Sequence, residues 1–112
     1  MNITQRQEGD VTVLDVAGKI TIGVGDVAVR DAVQVALGSG ARSILLNLKG
    51  VTTIDSAGVG ELVSAYTTVT NRGGKLKLVN LPPKVNDILQ ITQLITVFEV
   101  YDDEREAIAS YT

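Results

Sequence analysis

The chain of 112 residues contains no cysteine and no histidine. Without cysteine there is no disulfide framework and no thiolate metal site. Without histidine, Ser-His-Asp and Cys-His catalysis and nearly every common zinc site are excluded. Tryptophan is also absent, and the aromatics are confined to Phe98, Tyr66, Tyr101 and Tyr111. That is too few for a platform on which single-stranded nucleic acid stacks its bases. No stretch approaches the roughly 18 apolar residues of a membrane span. Residues 1–10 are polar and do not read as a signal peptide. The formal net charge is -3 and the pI about 4.8, a balance that disfavours phosphate backbones and anionic membrane surfaces. The densest basic pair, Lys75 and Lys77, falls inside a strand-like segment rather than in a patch. These features predict a cytoplasmic domain that is monomeric or weakly dimeric, with no cofactor, no direct nucleic-acid contact and no membrane insertion.

What the chain does have is apolar residues in a repeating order. Hydrophobic residues make up 45% of it, enough for one core at this length. No linker or internal repeat interrupts the alternation of strand-like and helix-like segments, which is the pattern of an α/β fold. Residues 11–17 read as a strand that Gly18 breaks, and Ile3 belongs to a preceding strand joined to it through Glu8-Gly9-Asp10. Residues 19–22 read as a short extended connector. Asp26 reads as the N-cap of a helix whose buried stripe is Val29, Val33, Ala36 and Leu37. Residues 43–48 contain Ile44-Leu45-Leu46, a run that suits a central strand buried on both faces. A loop over 49–55 leads to the strongest helical pattern, Val59, Leu62, Val63, Tyr66 and Val69, which Gly73-Gly74 stops. Residues 75–79 form the next strand, completing a right-handed βαβ unit. Pro82-Pro83 opens a third helix with Val85, Ile88 and Leu89 inward. Residues 97–101 read as the last strand, and Asp102, Asp103 and Glu104 begin a fourth helix packed by Ala107 and Ile108.

The informative stretch is Asp55-Ser56-Ala57-Gly58-Val59-Gly60, at the carboxyl end of a parallel strand, where α/β folds tend to place their sites. Asp55 can cap the helix, and Ser56 then sits at its start with the hydroxyl outward. Ala57, Gly58 and Gly60 leave the first turn bare. Glycine in a helix is unfavourable by about 1 kcal/mol relative to alanine, so two in one turn need a reason. Either close packing against a neighbouring strand or a docking surface supplies one. Read without context, Ser56 is a helix-start residue and Asp55 a cap rather than a catalytic acid. Gly23-Val24-Gly25 and Gly58-Val59-Gly60 are only G-x-G fragments of a nucleotide loop.

The hexapeptide resembles the D-S-[ST]-G-[LIV]-G signature of STAS-domain anti-sigma-factor antagonists, the bacterial anti-anti-sigma proteins. The strand over 11–17, Gly18, Ile44-Leu45-Leu46-Asn47-Leu48, Gly73-Gly74-Lys75-Leu76 and the closing segment 97–101 stand in the family's order. The likeness therefore covers essentially the whole chain. It implies one STAS-type domain over residues 1–112, an α/β fold with a mixed, mostly parallel sheet and about four helices packed mainly on one side. It also implies a non-enzymatic partner switch. The serine after the aspartate, here Ser56, is phosphorylated by a partner that is both anti-sigma factor and serine kinase. The unphosphorylated form binds that partner and releases a sigma factor, and a phosphatase resets the cycle. The implied contact residues are Lys19, Ile20, Thr21, Asp55, Ser56, Ala57, Gly58, Val59 and Gly60.

Two positions depart from the family pattern. Ala57 replaces a frequent second Ser or Thr, leaving Ser56 as the sole acceptor in the motif. Gly18-Lys19-Ile20-Thr21 stands where many members have G-E-[LIV]-D, so two acids are missing, which points to a different kinase or to loss of phosphorylation. The alternative within the same fold is a non-phosphorylated scaffold subunit of a stress-sensing assembly or of a lipid-transport ATPase. A small hydrolase using Asp55 or Ser56 is disfavoured because no base or paired acid stands out.

Overall fold

The computed structural model describes residues 1–112. The elements follow one another as β1 (Asn2–Glu8), β2 (Val11–Ile20), α1 (Gly25–Gly38), β3 (Ser43–Ile54), α2 (Ser56–Asn71), β4 (Lys75–Val79), α3 (Pro83–Ile91), β5 (Val100–Tyr101) and α4 (Glu104–Ala109). The strands lie in the sheet in sequence order, β1 antiparallel to β2 and the other pairs parallel. When each new strand is added on the same side of the last, right-handed crossovers put every connecting helix on one face. Accordingly α1, α2 and α3 share a single core with Leu14, Val16, Ile20, Ile44, Leu46, Leu48, Leu76 and Leu78. Alternate residues Val11, Val13, Leu45 and Val79 point to the other face, where Ala107 of α4 covers them. The run Ile44-Leu45-Leu46 is apolar because both faces of β3 are covered at that level. No helix is long and apolar enough to cross a membrane.

Four boundaries differ from the sequence reading. Gly18 does not end β2: the strand runs on to Ile20, with register irregularities at Asp15/Ala17 and Gly18/Lys19. That extension recruits residues 49–54, expected as loop, into β3, pairing Ala17 with Gly50, Lys19 with Thr53 and Ile20 with Ile54. Asp26 is not the N-cap of α1. Val24 holds that position, and the carbonyl of Thr21 accepts from the N–H groups of Gly25 (3.1 Å) and Asp26 (3.2 Å). The last strand is only Val100–Tyr101, because Leu94–Thr96 form a 3-10 turn. The buried Phe98 ring then packs edge-on against Tyr66 at 5.6 Å.

The back of the sheet is held by polar contacts. Lys77, only 3% exposed, donates to the Ser110 carbonyl (3.1 Å) and hydroxyl (2.8 Å), and its ammonium lies 4.5 Å from the centroid of the Tyr111 ring. These contacts fasten the end of α4, the end of a helix where free carbonyls favour a cation. Arg6 fastens its start: the guanidinium donates to Asp15 (Nε to Oδ2, 2.6 Å) and to both carboxylate oxygens of Glu104. Arg6 and Asn47 hold the Asp15 carboxyl below the usual carboxylate range. A lowered carboxyl stabilises the fold above its unfolded value, 3.8, and that contribution is lost as pH falls through the folded value. Both side chains are about one-third exposed, so the pair is partly screened. Arg6→Met is expected to cost about 1 kcal/mol in urea unfolding at pH 7. The difference should close as pH falls through the folded Asp15 value; a difference independent of pH would contradict this role.

Candidate functional site

The extended end of β2 and the start of α2 meet around Ile20. The N–H of Asp55 donates to the Ile20 carbonyl at 3.4 Å. Asp55 stands at the N-cap of α2 in extended backbone, and its Oδ1 accepts from the Gly58 N–H at 2.9 Å. Its other oxygen, Oδ2, accepts from the Ile22 N–H at 3.0 Å. One carboxylate thus ties the first turn of α2 to the loop between β2 and α1. Those two N–H groups, Gly58 first and then Ile22, hold the Asp55 carboxyl below its ordinary range. It is therefore an anion at neutral pH, committed to the backbone rather than poised to move protons.

Two glycines let the helices close on Ile20 from either side. A Cβ on Gly58 would lie 2.1 Å from the Ile20 carbonyl oxygen, and a Cβ on Gly25 would lie 1.9 Å from that of Lys19. Both helix starts therefore press on the same strand end with no side chain between. Gly60 differs: a Cβ there would meet nothing within 4 Å. Of the two explanations for these helical glycines, close packing applies to Gly58, and Gly60 is bare surface.

The hexapeptide divides accordingly. Ser56, the first residue of α2, and Gly60 are exposed; Asp55 and Ala57 are half-buried; Gly58 and Val59 are buried. Gly58 and Val59 thus shape the surface from behind and do not form it. Ser56, Gly60, Ser64 and Thr67 are all exposed and follow the i, i+4 and i, i+3 spacings of one helix face. The only charged residue of α2 is Glu61, which is 6% exposed and paired with Nε of Arg30 at 3.0 Å. Burial raises the Glu61 carboxyl above its ordinary value, against the opposing pull of Arg30. The outer face of α2 is consequently uncharged. Lys19 is exposed, Thr21 half-buried and Ile20 fully buried. Ile20 thus serves as the wedge under the site rather than as part of its surface.

The family model for the STAS domain matches residues 2–107. The chain belongs to the STAS domain family. Its relatives include the anti-sigma F factor antagonist of Paenibacillus polymyxa, 29% identical over 65 residues, which are 58% of this chain and 56% of that protein. The anti-sigma-B factor antagonist of Bacillus subtilis is 31% identical over 103 residues, 89% of this chain and 92% of the relative. The first curated relatives are matched over only 56% to 64% of their length. Among solved structures, the Bacillus cell fate determinant SpoIIAA in its phosphorylated form aligns with a TM-score of 0.74 at 20% identity, covering 99% of this chain and 100% of that one. At that identity the likeness speaks for the fold of this STAS domain.

Sequence reasoning located Asp55 and Ser56 from capping chemistry but missed Ile22 and Gly25. The contribution of Ile22 is a backbone N–H, which no side-chain pattern announces. Gly25 carried a signal, a glycine entering a helix, that was open to other readings. The different roles of the two α2 glycines are separable by substitution. Gly58→Ala is expected to destabilise the domain by about 2 kcal/mol or more, since the Ile20 backbone cannot give way. Gly60→Ala should stabilise it by about 0.5–1 kcal/mol. Chemical denaturation reads both, and equal effects at the two positions would refute the packing assignment.

Proposed function

We propose that this STAS domain is an anti-sigma-factor antagonist. It binds an anti-sigma factor that is also a serine kinase and so releases a sigma factor, without catalysis of its own. Phosphorylation of Ser56 switches it off, and a phosphatase restores it, all in the cytoplasm. The observation that carries this reading is the exposed position of Ser56 on a helix face with no charge, beside the end of β2 and the loop that follows Ile20. The relatives named as anti-sigma factor antagonists supply the class of partner.

The electrostatics favour a switch of this kind. A phosphate on Ser56 adds nearly two negative charges and three acceptor oxygens. At the start of α2 it meets the positive end of the helix dipole, so the fold tolerates it. Asp55 already occupies the Gly58 N–H and opposes part of that gain. A partner packed on the uncharged face of Ser56 and Gly60 would have to desolvate an anion with no counter-charge. That costs several kcal/mol, or more than about a hundredfold in affinity. Phosphorylation thereby spoils the contact without remodelling the domain.

A second reading, a scaffold subunit that is never phosphorylated, is favoured by one observation. Apolar side chains are exposed in the loop beside Ser56, Ile22 foremost. Stable oligomers in solution would support it.

The two readings separate when wild type, Ser56→Ala and Ser56→Asp are titrated with the anti-sigma kinases of the same organism, with ATP present and intact mass recorded. One kinase is expected to bind wild type and add a single phosphate that Ser56→Ala does not acquire. The same kinase should bind Ser56→Asp at least about a hundredfold more weakly. Unmodified Ser56 with every kinase, together with unchanged binding of Ser56→Asp, would sink the switch.

A further inference from the structure

One edge of the sheet is blunted and the other is open. At the β5 edge only Val100 and Tyr101 pair, and the acids Glu99 and Asp102 flank them. At the other edge β1 offers seven residues in unbroken register with β2, from Asn2 opposite Ala17 to Glu8 opposite Val11, and no strand pairs on its outer side. Folded proteins commonly protect such an edge with proline, lysine, a bulge or a covering segment. β1 has no proline, lysine or bulge, and its two charged side chains do not guard it. The Arg6 guanidinium is drawn inward across the back of the sheet to Asp15 and Glu104, and the Glu8 carboxylate accepts from Arg6 at 3.1 Å. The helix beside this edge continues the theme. Arg30 reaches Glu61 of α2, which marks the α2 side of α1. At about 100° per residue, Ala28, Ala32 and Val35 stand on the opposite flank, toward β1. Ala28 and Ala32 are half-buried, and Val35 is 64% exposed.

From these features we infer that β1 is a self-association edge: two copies pair β1 antiparallel to β1 about a two-fold axis at Gln5 and form one continuous sheet. In that register Asn2 faces Glu8, Ile3 faces Gln7, Thr4 faces Arg6 and Gln5 faces its own copy. Every residue of β1 is paired, and no like charges stand opposite each other. Sliding one copy by two residues shortens the ladder in either direction, and in one of them sets Arg6 opposite Arg6. The axis runs through the sheet from face to face, so the helices of both copies lie on the same side as Ile3, which joins their core. Each α1 then stands beside its equivalent, with the two Ala28–Ala32–Val35 flanks toward each other. An extended peptide of another protein could use the same ladder, but it would leave Val35 in water, whereas a second copy brings its own cover. The paired edge is about 24 Å long, and with the helix layer above it the contact stays below the roughly 800 Å² per partner of a stable complex. The dimer is therefore an exchanging one rather than a permanent assembly. Because α2 lies on the far side of α1, Ser56 stays open in it, and the inference does not depend on the switch.

Sedimentation equilibrium of the full chain, carried up to about 1 mM, tests this. Gln5→Lys and Gln5→Glu each set two like charges face to face at the axis, about 5 Å apart, whereas an equal mixture of the two sets lysine against glutamate. Val35→Lys probes the α1 flank, and Ile91→Ser is an exposed apolar control elsewhere. Thermal unfolding checks that each variant is folded. Wild type and Ile91→Ser are expected to dimerise with a Kd of about 10–100 μM, Gln5→Lys and Gln5→Glu at least about tenfold more weakly, and Val35→Lys about three- to tenfold more weakly. The mixture should recover the wild-type affinity or exceed it. A wild type that stays monomeric throughout overturns the inference, as does a dimer indifferent to both Gln5 variants. If each Gln5 variant is weakened but the mixture does not recover, the copies do not meet about Gln5 and the inference falls. If β1 amides shift in NMR spectra only when the anti-sigma kinase is added, the edge serves that partner and the inference is overturned.

Discussion

The two hydrogen bonds accepted by Asp55 are the interaction on which the site depends. One oxygen satisfies the Gly58 N–H, one of the donors that a helix start leaves unpaired. The other reaches across to the Ile22 N–H, in a different loop. A serine or asparagine at this position could cap α2, but only a carboxylate offers two equivalent acceptors that both gain from its charge. The carboxylate therefore sets the relation between the surface of α2 and the β2–α1 loop, and the bare backbone of Gly25 and Gly58 lets both seat on Ile20.

That local device depends on the sheet. Parallel strands in sequence order bring the starts of α1 and α2 side by side at the carboxyl ends of β2 and β3. The irregular extension of β2 then carries Ile20 up between them. Behind the sheet, Arg6 and Lys77 fix the two ends of α4 over Val11, Val13, Leu45 and Val79. The front core is left to three helices, of which α2 presents an uncharged outer face. The result is a helix start that presents Ser56 to solvent on a face without charge.

Much of this was legible in the sequence because it is local. Capping by Asp55, the stripe from Val59 to Val69, the opening of α3 at Pro83 and the two-sided burial of Leu45 follow from neighbouring residues. What was not legible depends on pairing at a distance. The length of β3 is set by the irregular end of β2, so residues 49–54 look like loop until Lys19 and Ile20 are laid beside Thr53 and Ile54. Asp26 looks like a cap because its chemistry suits one, but the Thr21 carbonyl had already taken the first N–H groups of α1. The closing strand was overestimated because Phe98 is apolar for the core rather than for the ladder. In the motif, composition alone could not divide Gly58 from Gly60, since only the position of the Ile20 carbonyl distinguishes them.

We propose that partner recognition occurs on one continuous surface, the uncharged start of α2 and the loop that Asp55 ties to it. The most direct measurement is an NMR titration of the isotope-labelled domain with the anti-sigma kinase of its own organism. The perturbed amides are expected to gather in residues 19–27 and 55–60, and phosphate on Ser56 is expected to abolish those perturbations. Perturbations gathered instead around Lys77, Tyr111 and α4, or surviving phosphorylation unchanged, would contradict it.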